Sequence, residues 1–278
     1  MCKRASENVQ VILLRALSAV NPLQCSRNVG IQNSVSLIKS IFLGENKKMK
    51  HIVVLTGAGM SAESGLNTFR DADGLWEGHD VMEVATPEGF AKNPALVLDF
   101  YNQRRKQLLQ VQPNAAHDAL VALEKKFKVA IVTQNVDDLH ERAGSETVLH
   151  LHGELLKARS TASDDEIISW TKDMLQGDVC EKGHQMRPHI VWFGEAVPLL
   201  DAAIEITKKA DILIIIGTSM QVYPAASLID FVADDVPIYF IDPKPSISKH
   251  SRRNLNILPS SASIGVPKLV TSLLDQEA

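Results

Sequence analysis

A mostly parallel, doubly wound α/β sheet is what this sequence predicts, and three observations predict it. Short apolar runs recur along the chain, beginning with Lys50-His51-Ile52-Val53-Val54-Leu55 and continuing at 128–132, 147–151, 189–192, 212–216 and 237–241. Segments of helical periodicity lie between or after them, at 94–109, 113–127, 198–209, 223–233 and 264–275. That alternation builds strand-helix-strand crossovers and hence a parallel sheet. A glycine turn, Gly57-Ala58-Gly59, directly follows the first strand, the position at which open α/β sheets take up ligands.

The helices have their own signals. Residues 94–109 (PALVLDFYNQRRKQLL) open with proline in the first turn and carry apolar residues at helical spacing, and 113–127 (PNAAHDALVALEKKF) repeats the pattern. The interval 157–186 breaks the alternation. It is polar, acid-rich at Asp164, Asp165 and Glu166, and reads as a small module with one helix around Ile167 to Leu175. The expected architecture is therefore α/β, a Rossmann-like doubly wound parallel sheet with a small inserted module. No internal repeat is present.

Composition narrows the function. The 278 residues are 45% hydrophobic, enough for a proper core, and the formal net charge is −4 with no basic stripe, so nucleic acid is not an expected partner. No apolar run reaches the roughly 18 residues that span a bilayer. Cys2, Cys25 and Cys180 are the three cysteines, with no close pair, which points to a reducing, cytoplasmic setting rather than a disulfide framework. Residues 1–48 differ from the rest, with Lys3, Arg4, Arg15 and Arg27 against one early acid, Glu7. They read as a dispensable extension ahead of Met49, with a targeting or accessory segment as the alternative.

The richest stretch is residues 51–76, HIVVLTGAGMSAESGLNTFRDADGLW. Gly57 and Gly59 would let backbone N–H groups approach phosphate oxygens while a following helix points its positive end at them. A bare tight turn explains two glycines as well. Ser61, Glu63, Ser64 and Gly65 extend the loop, however, and Phe69-Arg70-Asp71 adds a ring, a cation and a carboxylate. This run resembles the NAD-binding loop of the sirtuins, the NAD-dependent protein deacylases. Three further blocks follow in the family's order: Thr133-Gln134-Asn135-Val136-Asp137 with LHLHGEL at 149–155, RPHIVWFGEAVP at 187–198, and IIIGTSMQVYPAA at 214–226.

A histidine in an apolar strand is more often a hydrogen-bonded core residue than a catalyst, and His150 and His152 share a strand face by alternation. The resemblance selects His152, directly before Gly153, as general base on a ribose hydroxyl. Gln134, Asn135 and Asp137 follow a strand, where Asn135 or Asp137 would serve equally as a helix cap. The resemblance implies that Gln134 holds ribose hydroxyls, Asn135 orders the nicotinamide-side ribose and shares in catalysis, and Asp137 accepts from the nicotinamide carboxamide. It implies cofactor contacts from Gly57, Ala58, Gly59, Glu63, Phe69, Arg70, Gly217, Thr218 and Ser219. Asp242 stands where many sirtuins carry Asn against the adenosine ribose.

The implied reaction consumes NAD: the amide oxygen of an acyl-lysine attacks C1′ of the nicotinamide ribose as nicotinamide leaves, and attack by the neighbouring ribose hydroxyl followed by hydrolysis with water releases free lysine and 2′-O-acyl-ADP-ribose. Val191, Trp192, Phe193, Gly194 and Glu195 resemble the segment that pairs with the substrate peptide as an added strand. Tyr101 and Arg104, at i and i+3 of one helix, share a face on which a phenol and a guanidinium would meet a carboxylate. A solvated basic face with Arg105 and Lys106 is the alternative. The Tyr-x-x-Arg spacing resembles the class III sirtuins, which remove succinyl and malonyl groups, and Ala85 leaves room for a longer acyl chain. An ADP-ribosyltransferase, an NAD hydrolase or a non-catalytic NAD sensor are the competing readings.

The chain departs from the family in its small module. Most sirtuins carry two Cys-x-x-Cys pairs for a structural zinc, whereas this chain has only Cys180 there, beside Ser160-Thr161-Ala162-Ser163 and near His184. No zinc is expected. The module would instead rest on its own packing through Ile167, Ile168, Trp170, Met174 and Leu175.

Overall fold

The run Ile52-Val53-Val54-Leu55 presents no polar face, so a strand made of it has to be covered on both sides. The computed structural model, which describes residues 49–67, 75–163, 166–248 and 252–277, places it as β1 (His51–Thr56) in the middle of a sheet. The extension at 1–48, together with Phe69, Arg70, Asp164 and Asp165, lies outside the described residues.

After β1 come β2 (Leu75–Trp76), β3 (His79–Asp80), β4 (Lys128–Thr133), β5 (Val148–His150), β6 (Gly153–Ser160) and β7 (Ile167–Ser169). The remaining strands are β8 (Met186–Ile190), β9 (Ile212–Ile216), β10 (Ile238–Ile241) and β11 (Leu255–Leu258). Among the described residues, six of these strands form the parallel main sheet in the order β11-β10-β9-β1-β4-β5. The helices are α1 (Val81–Val84), α2 (Pro87–Lys92), α3 (Pro94–Leu108), α4 (Ala115–Leu123), α5 (Leu139–Ala143), α6 (Leu200–Thr207) and α7 (Ala262–Gln276). None is long and apolar enough to cross a membrane.

Alternation along the strands sorts the core into two layers. Ile52, Val54, Ile131, Ile212, Ile214 and Ile216 pack with α4 and α7 on one face. Val53, Leu55, Val132, Leu213 and Ile215 pack on the other face with Ala203 of α6 and with the 3-10 helix Ala225–Phe231. Each such fully buried side chain contributes roughly 2 kcal/mol. The order of strands reverses at β1: the chain winds outward through β4 and β5, then returns to β9 on β1's other side. Ligand crevices form at such a switch point, outside the carboxyl ends of the strands.

Residues 223–233 carry the expected helical segment, as a 3-10 helix over Ala225–Phe231 that follows Pro224. Two other expectations are corrected. The apolar run 189–192 does not join the main sheet: His189 and Ile190 end β8, which pairs antiparallel with β6 in the order β7-β6-β8, and Val191 and Trp192 lie beyond it. No helix forms in the module at 167–175, where Ile167–Ser169 is instead β7. That edge strand is three residues long and pairs only with β6, so Ile167 and Ile168 are 46% and 38% exposed, and Leu175 is 62% exposed.

What holds the module is a small cluster of Leu98, Ala158, Met174 and Met186, with Trp170 packed against it. Asn102 of α3 adds the polar tie. Its amide donates to Met174 O at 3.0 Å, and its Oδ1 accepts from Met174 N at 2.8 Å and from Arg105 Nη1 at 2.7 Å. Arg105 is itself buried, 1% exposed, which removes it from any solvated basic face and lowers its pKa to about 10. Among the described residues, no group of three or more His, Cys, Asp or Glu gathers as metal ligands. Asn102→Ala should therefore lower the free energy of unfolding by about 3 kcal/mol, since it strands a buried N–H, a carbonyl and a guanidinium. Urea denaturation of the two proteins checks this.

Candidate active site

The carboxyl ends of β1, β4 and β9 open into a cavity of about 310 Å³. Its floor is a contact between two loops. Gly57 N donates to Ile216 O at 3.0 Å and Gly59 N to Gly217 O at 2.8 Å. A Cβ on Gly57 would lie 2.7 Å from Thr218 Cβ, and one on Gly59 2.7 Å from Gly217 Cα. Gly217 has φ +61°, and its Cβ would fall 2.4 Å from Gly59 C. The glycines are thus required by close backbone approach, and their N–H groups are engaged within the protein instead of facing phosphate oxygens. The expected helix is likewise replaced by two 3-10 turns, Ala58–Met60 and Ala62–Ser64, too short to build a macrodipole.

Above this floor β4 delivers three polar residues. Asn135 Nδ2 donates to Gly57 O at 3.1 Å and to Ser61 Oγ at 3.2 Å, so it clamps the glycine loop from across the sheet. Gln134 Nε2 donates to Thr218 Oγ1 at 3.1 Å, joining β4 to the loop after β9. Asp137 accepts from Leu139 N at 3.2 Å and also lines the cavity; the N-cap of α5 is Asp138 and neither Asn135 nor Asp137. Burial drives its carboxyl up to about 6, against the opposing hydrogen bonds from Ser61 and Leu139 N.

Two histidines with one sequence pattern meet different fates. His150 is 7% exposed, with Nδ1 3.0 Å from Asn135 O and Nε2 2.7 Å from Glu141 Oε1. Burial disfavours its cation, yet the Glu141 partner outweighs that and raises its pKa. Both ring nitrogens are committed. His152 lines the cavity, and its Nδ1 lies 3.0 Å from Gln134 O. A carbonyl only accepts, so Nδ1 carries the proton and Nε2 of the neutral ring keeps a lone pair. Burial lowers the pKa of His152, with the Gln134 carbonyl opposing. Gly153 makes the turn after it, at φ +80° and with His189 O only 2.1 Å from where a Cβ would sit.

At the opposite wall lies a chain of contacts ending in a cation. Glu195 takes Arg187 in a fork, Nη1 to Oε1 at 2.6 Å and Nη2 to Oε2 at 3.0 Å, and accepts from Trp192 N at 2.7 Å. The Arg187 guanidinium lies 3.4 Å over the Trp192 ring, whose Nε1 donates to Tyr101 Oη at 2.9 Å. Burial raises the Tyr101 pKa, so its hydroxyl keeps a proton to donate. Arg104 stacks 4.2 Å from the Phe100 ring centroid and faces Glu77 at 3.8 Å. Among the described residues, its Nε and Nη1 are buried without a hydrogen-bond partner.

Comparison with known proteins identifies the family. The Sir2 family model matches residues 57–224. The chain belongs to the Sir2 family. Among its relatives, the NAD-dependent protein deacylase of Helicobacter pylori is 58% identical over 227 residues, which cover 82% of this chain and 99% of that protein. The protein of the same name from Bacteroides thetaiotaomicron is 52% identical over 232 residues, 81% and 99% of the two chains. Among solved structures, a Sir2 homologue in complex with NAD has a TM-score of 0.75 at 38% identity, covering 88% of this chain and 95% of that one.

Not every residue expected from the Sir2 motifs reaches the cavity. Glu63 does not line it: its carboxylate accepts from Ser263 N at 2.8 Å and from the Ser261 and Ser263 hydroxyls, holding the first turn of α7. Gly59 lies beneath the floor, and Asp242 is buried at the end of β10, where it accepts from Lys244 N at 2.8 Å. In the segment 191–195, Trp192 is 2% exposed and Glu195 is bonded to Arg187, so both support the wall. Val191 N donates to His152 O and Phe193 N to Ala85 O, while Gly194 stands open at φ +89°. Sequence reasoning gave no role to Trp76, Glu77, Gln107 or Tyr223, all of which line the cavity. The Tyr223-Pro224 pair sits inside a recognised Sir2 block, the one signal that pointed there.

The Sir2 glycine floor yields a sharp test. Gly217→Ala should cost about 2 kcal/mol or more and abolish ADP-ribose binding by calorimetry. Gly177→Ala, also at positive φ but with nothing within 4 Å, should leave that binding unchanged.

Proposed function

We propose that this Sir2-family chain, an NAD-dependent protein-lysine deacylase, favours acyl groups that end in a carboxylate, succinyl and malonyl, while also removing acetyl. The observation that carries this preference is Arg104, a cavity-lining guanidinium with two buried, unbonded nitrogens beside a protonated phenol. A planar fork and an O–H donor together match one carboxylate. Ala85, buried and on the cavity wall, leaves room along the approach.

The crevice of this chain fits NAD. The buried Asp137 carboxyl suits a carboxamide N–H, and the Gln134, Asn135 and Thr218 side chains offer polar contacts at a floor free of side chains. Bound NAD supplies the ribosyl acceptor for the acyl group, with nicotinamide as leaving group. His152 Nε2, the lone pair fixed by the Gln134 carbonyl, takes the proton from a ribose hydroxyl. Asn135 holds the glycine loop in register with the ribose. Tyr101 and Arg104 orient the acyl carboxylate, and the segment 191–195 receives the peptide as an added strand at its open Gly194. The solved complex of a Sir2 protein with a p53 peptide and NAD, 25% identical with a TM-score of 0.64, supports a protein substrate. A cytoplasmic location accords with a sequence of three cysteines, no two of them close together.

Mass spectrometry of matched succinyl-lysine and acetyl-lysine peptides with NAD tests the reading. Wild-type protein should form 2′-O-succinyl-ADP-ribose, His152→Ala should lose both activities by 100-fold or more, and Arg104→Met should lose succinyl turnover selectively. NAD consumption without acyl loss from either peptide overturns the deacylase reading; equal loss of both activities in Arg104→Met overturns the clamp.

The acid side of the pH profile carries a second expectation. His152 works as a neutral base with a pKa held below 6.5, and Asp137 works as a carboxylate with a pKa about 6. Both take up protons as pH falls below neutrality, so log kcat/KM should be level above pH 7. Below pH 6.5 it should decline with a slope approaching two. A limb centred above pH 7 contradicts this assignment.

A further inference from the structure

The hairpin of β2 and β3 is closed by two residues, Glu77 and Gly78, between the paired Trp76 and His79. Both loop residues have positive φ, +53° for Glu77 and +79° for Gly78, the conformation of a two-residue type I′ turn. Asn-Gly is the sequence that turn favours. Glutamate in its first position is strained, because an L side chain there crowds its own backbone. Strain of this kind, next to a ligand cavity, points to a use for the side chain.

The use is visible in where the carboxylate goes. Glu77 lines the cavity, and its Oε2 lies 3.8 Å from Arg104 Nη2. That is a charge contact longer than a hydrogen bond. Neither group is fully shut off: the side chains are 21% and 14% exposed. The hairpin carrying Glu77 is docked through Trp76 and His79, whose rings meet Phe100 edge-on at 5.0 and 5.6 Å, and Arg104 lies over that same Phe100 ring. The two charges are therefore referenced to one aromatic residue, while the bond between them is loose.

We propose that Glu77 is a built-in competitor for the acyl carboxylate: it neutralises Arg104 when the acyl group is uncharged and yields the guanidinium when a succinyl or malonyl carboxylate enters. This rests on the carboxylate-clamp reading above and assigns the balance between the two substrate classes. A half-buried guanidinium with no counter-ion would disfavour a neutral acetyl group beside it. Glu77 relieves that penalty and so permits deacetylation. The same carboxylate must be displaced, against like-charge repulsion, before a charged acyl group can settle. Removing it should sharpen the preference for charged acyl groups in both directions.

The test is steady-state kcat/KM with NAD on matched succinyl-lysine and acetyl-lysine peptides, using wild type, Glu77→Asn, Glu77→Gln and Arg104→Met. Asparagine suits the turn and deletes the charge; glutamine deletes the charge and keeps the length. Both should raise the succinyl-to-acetyl ratio of kcat/KM about tenfold, through a lower KM for the succinyl peptide and a higher KM for the acetyl peptide. A ratio within twofold of wild type in both, or equal loss of both activities, overturns the proposal if Arg104→Met still loses succinyl turnover selectively. If Arg104→Met shows no selective loss, the clamp itself fails and this inference fails with it.

Discussion

Everything at the cavity depends on how closely two backbones can pass. The loop after β1 and the loop after β9 touch through Gly57, Gly59 and Gly217 at distances that exclude any Cβ. That contact lowers the floor of the crevice and brings the ends of three adjacent strands to one place. Asn135 is bonded to Gly57 O and Ser61, and Gln134 to Thr218, so the residues that follow β4 are positioned from the same two loops. Gln134 O then sets the His152 tautomer. A displacement of the glycine floor would pass through one hydrogen bond at a time to His152, the base of the proposed reaction.

The other half of the cavity is governed by charge. Arg187 and Glu195 neutralise one another under the Trp192 ring, and Trp192 aligns Tyr101 by a single hydrogen bond. Burial alone would lower the Arg104 pKa, with Glu77 and Tyr101 working against that. On the proposed reading, this end of the cavity is preorganised for one negative charge. Rigid aromatic packing supplies the geometry, and a loosely held carboxylate supplies the balance.

The main sheet was legible because parallel strands covered on both faces must be apolar throughout, and Ile212–Ile216 admits hardly another reading. Leu255–Leu258 was not, since four residues with Asn256 among them carry too little pattern. The module was visible as a break in periodicity, but its interior was not. Its polar tie is Asn102, some seventy positions before Met174, and no local pattern reports such a contact. At the site, motif resemblance brought forward Gln134, Asn135, Asp137 and His152, which the structure gathers at one cavity. The distinction between His150 and His152 rests on Glu141, and the diversion of Glu63 rests on the far-off start of α7. Glu77 went unseen because its meaning lies in a backbone conformation and a cross-element partner.

The central claim is that a charged acyl group reaches Arg104 and Tyr101 while its amide lies within range of the ribose attended by His152. A crystal structure of the protein with a succinyl-lysine peptide measures this directly. The account predicts carboxylate oxygens within about 3.2 Å of Arg104 nitrogen and Tyr101 Oη, with Glu77 displaced from Arg104. A succinyl carboxylate directed to solvent, with Arg104 still facing Glu77, would contradict it.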